Sequence, residues 1–91
     1  MQNYFRMTKI DHMVLFGINL KRLAKEAKVD YKAVGESVNR KSGTVQQWVA
    51  GRSQPDYNAL VGLAEFFTRQ SGRYVSIDEF FDRKSAEKPL V

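Results

Sequence analysis

Two short helical patterns, separated by little more than a turn, occupy the middle of this chain and constrain its fold more than anything else in the sequence. From Tyr31 to Val38, Val34 and Val38 stand four residues apart, a spacing that puts both on one helix face. Asp30 just before them is a residue type that caps helix N-termini. Asn39 just after tolerates the left-handed conformation in which helices end. The second pattern, Ser42 to Ala50, carries Val45, Trp48 and Val49 as an i, i+3, i+4 apolar face and is stopped by Gly51.

The flanking segments are helical too. Phe16, Leu20, Leu23, Ala24 and Ala27 line one face of a helix expected over Phe16 to Lys28, with Arg22 and the lysines on the other. After the loop Arg52 to Asp56, Pro55 suits the approach to a further helix, Tyr57 to Arg69, whose inward face is Leu60, Val61, Leu63, Ala64 and Phe67. Gln70 to Arg73 is a turn. Ser76 followed by Glu79 is a capping-box pattern opening a short helix through Asp78, Phe80 and Phe81. The expectation is an all-α bundle of about five short helices. A short arm (1–10) precedes a single domain (11–81), and a flexible charged tail (82–91) follows it.

Composition removes several classes of function. The chain has 91 residues and no cysteine, which excludes a disulfide scaffold, a thiolate metal site and a cysteine nucleophile. The cysteine-free composition fits a cytoplasmic location, and the apolar run Met13 to Phe16 is too short for a signal-peptide core or a membrane span. No nucleophile stands beside a base, no glycine loop is built to cradle phosphates, and no metal-ligand cluster is visible, so neither enzyme activity nor a cofactor is expected. His12 is the one histidine and has no ligand set around it.

The formal net charge is +5. Its excess is concentrated between Gly17 and Pro55, where Lys21, Arg22, Lys25, Lys28, Lys32, Arg40, Lys41 and Arg52 outnumber Glu26, Asp30 and Glu36. Such a patch draws a polyanion. A helix has the diameter to enter the major groove of B-form DNA. With Val45, Trp48 and Val49 turned inward, and Trp48 as core, the opposite side of Ser42–Ala50 is populated by Gly43, Gln46, Gln47 and Ala50, with Ser42 and Thr44 flanking. Candidate base contacts are therefore Gln47 first, then Gln46, Ser42, Gly43 and Thr44; glutamine can bond adenine through two hydrogen bonds. Arg40, Lys41 and Arg52 stand at the two ends of that helix as candidate phosphate contacts, with Ser53 just beyond. Tyr31 and Lys32 open the preceding helix, whose N-terminal amides can also face a phosphate. Lys21, Arg22 and Lys25 are read as a solvated face; Arg6 and Lys9 could form a basic arm of the kind that reaches a minor groove elsewhere, but a disordered terminus is the reading preferred for them.

The stretch from Val29 to Pro55 resembles the Cro/C1-type, lambda-repressor-like helix-turn-helix family. Val29, Val34-Gly35, Val38-Asn39-Arg40, Thr44-Val45, Trp48, Gly51 and Pro55 fall at the family's positions in order. Phe16-Gly17 and Leu20-Lys21 upstream, and Leu60, Leu63-Ala64 and Ile77 to Phe81 downstream, extend the likeness over roughly residues 16–81. Gly35 supplies the smallest side chain where two helices would cross closely. Asn39 stands in for the family's usual glycine. Lys41 replaces a capping serine or threonine, which makes Ser42 the substitute cap and shifts the helix start by one. Gly43 offers a base no side chain, which moves weight to Gln46, Gln47 and DNA shape.

The resemblance implies a sequence-specific transcription regulator, bacterial or phage-encoded and nucleoid-associated, that represses as a homodimer on an inverted repeat. It also implies a phosphate-binding role at position 31. Tyr4, Phe5, Met13 to Leu15 and Phe80-Phe81 are the apolar candidates for a dimer surface. The other reading on the same fold is an antitoxin or adaptor whose partner is a protein, and Gly43 and the missing cap speak for it.

Overall fold

The computed structural model describes residues 9–87. Its helices are α1 (Lys9–Ala27), α2 (Tyr31–Ser37), α3 (Ser42–Val49), α4 (Tyr57–Ser71) and α5 (Arg83–Ala86), with a 3-10 turn at Ile77–Phe81 before the last. Among the described residues there is no strand, and no helix is long and apolar enough to cross a membrane. This is a small all-α bundle. α1 is its hub, lying against α3, α4, the 3-10 turn and α5, while α2 bridges α3 and α4.

The core explains that arrangement. Phe16 is fully buried, with Trp48 of α3 at 6.3 Å edge-on and Phe80 at 5.2 Å. Leu20, Leu23, Val34, Val45, Leu63, Phe67 and Val75 complete it. α1 to α4 and the 3-10 turn thus each contribute apolar side chains to one shared core. Phe66 is also buried, beside Phe67 at 5.2 Å; it lies off the inward face expected for α4, on which Val61 is only half buried.

α1 begins at Lys9 rather than Phe16, so Lys9 and Ile10 belong to a helix and not to an arm. The reason is the run Met13 to Phe16: Leu15 is buried beside Phe16, and His12 meets the edge of Phe81 at 6.3 Å, which gives the added turns something to pack on. Arg6, the other basic residue of the expected arm, lies outside the described residues, as do Tyr4 and Phe5. At its other end α1 stops at Ala27, and Lys28 takes a left-handed conformation (φ 59°). Val29 N donates to Ala24 O at 3.0 Å, the closure usually made around a glycine.

A second correction concerns Arg22, expected on a solvated face. It is 8% exposed. Its guanidinium lies 3.5 Å from Glu26 and 3.6 Å from Glu79, and Arg73 joins the same cluster at 2.8 Å from Glu26 and 2.7 Å from Glu79. The cause is that α1 is covered on two sides, because the 3-10 turn and α5 wrap over the face away from α3. Glu79 is therefore spent on arginines, and Ser76 makes no side-chain cap, so the capping box expected there does not form and the segment tightens into 3-10 geometry.

The C-terminal segment is also more ordered than a charged tail suggests. Asn19, fully buried, donates to Phe80 O at 3.0 Å and Asp82 O at 3.1 Å. Asp82 then caps α5, accepting from Ser85 N at 3.1 Å and Ser85 Oγ at 2.8 Å. These bonds, with Lys84 nearby, hold the Asp82 carboxyl below its usual pKa. The region from Asp82 to Ala86 is thus part of the domain, and Ser85 is buried.

Backbone contact sets the spacing of α1 and α3. A Cβ on Gly17 would sit against Val49 O and within 2.6 Å of Trp48 O. Gly17→Ala should therefore force the two helices apart and cost about 1–3 kcal/mol, the range for overpacking, read as a lower urea midpoint at unchanged slope.

The arginine–glutamate cluster gives a pH dependence. Hydrogen bonds from Arg73, with Arg22 nearby, lower the Glu79 pKa in the folded chain. A lowered carboxylate contributes stability above its unfolded pKa and loses it as pH falls through the folded value. Glu79→Gln should flatten the acid limb of a stability–pH curve. At neutral pH it should cost about 1–2 kcal/mol, moderated because Arg73 is more than a third exposed.

Candidate nucleic-acid interface

The turn between α2 and α3 is built on Gly35. Its carbonyl accepts from Val38 N at 3.0 Å and Arg40 N at 2.8 Å, and a Cβ there would strike Arg40 O. A small residue is required as the sequence suggests, although the neighbour is the turn's own backbone. Asn39 takes the left-handed conformation (φ 64°) expected of it. The chain is thereby reversed within four residues, Val38 to Lys41, and α3 starts.

α3 has one side fixed in the core and one side open. Val45 and Trp48 are buried, with Val49 half buried behind them. Gly43, Gln46, Gln47 and Ala50 are exposed, and Ser42 and Thr44 are half buried at the flanks. The five candidate base contacts thus lie on one polar edge that carries no acidic side chain. Nothing lies within 4 Å of a Cβ built on Gly43, so packing does not account for that glycine.

The start of α3 departs from expectation. Lys41 is the N-cap and makes no side-chain cap bond, while Ser42 is the first helical residue and does not replace it. By contrast α2, α4 and α5 are each capped by an aspartate: Asp30 on Ala33 N at 2.9 Å, Asp56 on Ala59 N at 2.9 Å, and Asp82 on Ser85 N. No side chain therefore caps the first amides of α3, and the partial positive charge of the helix start is met by no carboxylate cap.

The candidate phosphate contacts divide into two groups. Lys32, Lys41 and Arg52 are exposed and make no ion pair among the described residues, and Ser53 is half buried next to Arg52. Arg52 follows the left-handed Gly51, and its N–H donates to Gln47 O at 3.0 Å, which fixes it at the C-terminal end of α3. Arg40 is different. Its guanidinium donates to Val38 O at 2.9 Å and to Asp56 Oδ2 at 3.0 Å, bracing the turn against the start of α4. Tyr31 is half buried, and burial raises its phenol pKa, so the ring keeps its hydroxyl proton as a donor. At the start of α2 the Asp30 carboxylate already occupies the place where amides were expected to face a phosphate; the Tyr31 hydroxyl and the Lys32 ammonium are the donors left there.

Lys21 and Lys25, read from sequence as solvated bystanders, line a shallow hollow together with Asp30 and Tyr31. They extend the cationic rim from α1 to the start of α2. Their i, i+4 spacing on α1 was the available signal, but only the packing of α1 beside α2 reveals which side they serve. Among the described residues no three His, Cys, Asp or Glu side chains come together so as to hold a metal ion.

A scan against protein-family models and searches of curated proteins and of solved structures return no match for this chain. Because Gly43 is sterically free, Gly43→Ala should raise stability by about 0.5–1 kcal/mol, the usual gain for alanine over glycine inside a helix, seen as a higher urea midpoint.

Proposed function

We propose that this chain is a sequence-specific double-stranded DNA-binding transcription regulator of the Cro/C1 type, a repressor acting as a homodimer on an inverted repeat. The observation that carries the reading is the division of α3: Val45 and Trp48 lock one side into the core, and the other presents Gln46, Gln47 and Gly43 from a helix start with no acidic cap. A helix so mounted enters a major groove as a unit, with its uncapped amides and Lys41 directed at backbone phosphates.

In this reading Gln47 and Gln46 bond base edges, and Ser42 and Thr44 contact the groove walls. Lys32, Lys41, Arg52 and Ser53, with the Tyr31 hydroxyl, hold the phosphate backbone. Arg40 shapes the turn through Val38 O and Asp56. The short backbone profile at Gly43 lets the helix approach closely.

Selection of bound sites from a random duplex library tests the proposal. A recurring half-site should emerge for the wild-type chain, with log affinity falling steeply against log salt, by about 0.9 per phosphate neutralised. Gln47→Ala should relax the preference at one position of the half-site and cost about 1–3 kcal/mol there. Weak binding that is flat in salt and blind to sequence would overturn the proposal and leave the protein-interaction reading.

A further inference from the structure

Four large apolar side chains are exposed among the described residues: Val14, Ile18, Tyr57 and Tyr74. Two of them, Val14 at 44% and Ile18 at 39%, stand one helical turn apart on α1 and so share a face. They border a hollow of about 280 Å³ between α1 and α5. Val14, Leu15, Ile18 and Ala86 line it with apolar surface, and Arg83 and Glu87 stand on the α5 side. Val14 also lies beside the end of α3, since a Cβ on Gly51 would come within 3.3 Å of Val14 Cγ2. The reading of α3 as a groove-binding helix uses none of these side chains.

The chain itself supplies an occupant. Glu87, the last described residue, lines the hollow. Its position is fixed: Asn19 holds Asp82 O at 3.1 Å, Asp82 caps α5, and Glu87 N closes the helix on Arg83 O at 3.1 Å and Lys84 O at 3.2 Å. The residues that follow are Lys88, Pro89, Leu90 and Val91. Pro89 cannot continue α5, and it biases Lys88 towards extended backbone. Leu90 comes three residues after Glu87, a reach of about 10 Å. Val14 and Ile18 are only about 6 Å apart along α1. Leu90 and Val91 are also the first large aliphatic side chains after Phe81, beyond a stretch rich in charge. The next apolar pair in the chain thus falls within reach of the apolar hollow beside which the described chain ends.

We infer that residues 88–91 dock in the hollow between α1 and α5, with Leu90 and Val91 covering Val14 and Ile18. Docked there, the segment clamps α5 onto α1 and backs the end of α3 through Val14. The gain is the removal of apolar surface from water on both sides of the contact. The inference does not depend on the function proposed above. It gives Val14 a cover within the protomer, and Leu15 and Phe80, also considered for a dimer surface, are buried in the protomer's own core.

The chain has no cysteine, so disulfide trapping in the full chain reports only the pair introduced. Ile18→Cys with Leu90→Cys, oxidised at low concentration, should close an intramolecular bond at least about tenfold faster than Tyr57→Cys with Leu90→Cys, because a disulfide needs its Cα atoms within about 7 Å. In urea the order should reverse, because Tyr57 is nearer to Leu90 in sequence. Circular dichroism confirms that each variant is folded. Independently, Leu90→Ala should lower the folded-to-unfolded ratio about fivefold, and should have much less effect once Ile18→Ala is present, the coupling expected of side chains in contact. Four results overturn the inference. One is a disulfide between two copies, which assigns this face to a second copy. Another is faster closure of Ile18→Cys with Phe5→Cys, which assigns it to the N-terminal segment. The others are the absence of any native-state advantage for the Ile18–Leu90 pair, and additive effects of Leu90→Ala and Ile18→Ala.

Discussion

The contact on which the molecule depends is the meeting of α1 and α3 at Gly17. With no side chain there, the backbone of α1 comes against the last carbonyls of α3, Trp48 O and Val49 O. Phe16 fills the space beside it and touches both Trp48 and Phe80. That approach fixes the depth at which α3 is seated. Trp48 and Val45 reach the core only because α3 lies this close, and the polar side of the helix stands outward for the same reason. The turn on Gly35 and the brace from Arg40 to Asp56 then set the direction of α3.

Charge is sorted by the same packing. Arg22 and Arg73 are committed to Glu26 and Glu79 on the side of α1 covered by the 3-10 turn. Lys32, Lys41 and Arg52 are left exposed around α2 and α3, and Lys21 and Lys25 adjoin Tyr31. The formal excess of the sequence thus understates the asymmetry, since part of it is cancelled in one place and undiluted in another. Surface pairs contribute little stability each, but the arginine–glutamate cluster is partly buried, and it keeps the guanidinium groups of Arg22 and Arg73 committed to the side of α1 under the 3-10 turn.

Much of the fold could be read from the sequence because α2, α3 and α4 each bury a single stripe, for which helical spacing is a sufficient guide. The left-handed Asn39, the cap at Asp30, the stop at Gly51 and the inward Trp48 are local features and follow from residue type. α1 defeats that logic because it is covered on two faces. Its second buried face is polar, Asn19 and Arg22, whose partners lie some sixty residues away in the chain. No periodicity reports such pairs. The helical start at Lys9 and the order beyond Asp82 were hidden for the same reason, since both depend on contacts between the two ends. At the candidate site the exposed edge of α3 was legible. The engagement of Arg40 by Asp56 and the proximity of Lys21 and Lys25 to Tyr31 were not, because they arise from tertiary neighbours.

The two hydrogen bonds from Asn19 to Phe80 O and Asp82 O have a consequence for how the protein comes into being. The helix on which α3, α4, the 3-10 turn and α5 lean is made on the ribosome some sixty residues before the acceptors for its buried amide. Until that late stretch has left the exit tunnel, Phe16 lacks Phe80 as a cover and the Asn19 amide must find water. Early helices can assemble in the meantime, but the closed core awaits nearly the whole described chain. A ribosome stalled a few codons short of Phe80 would hold a nascent chain with its central helix unsealed.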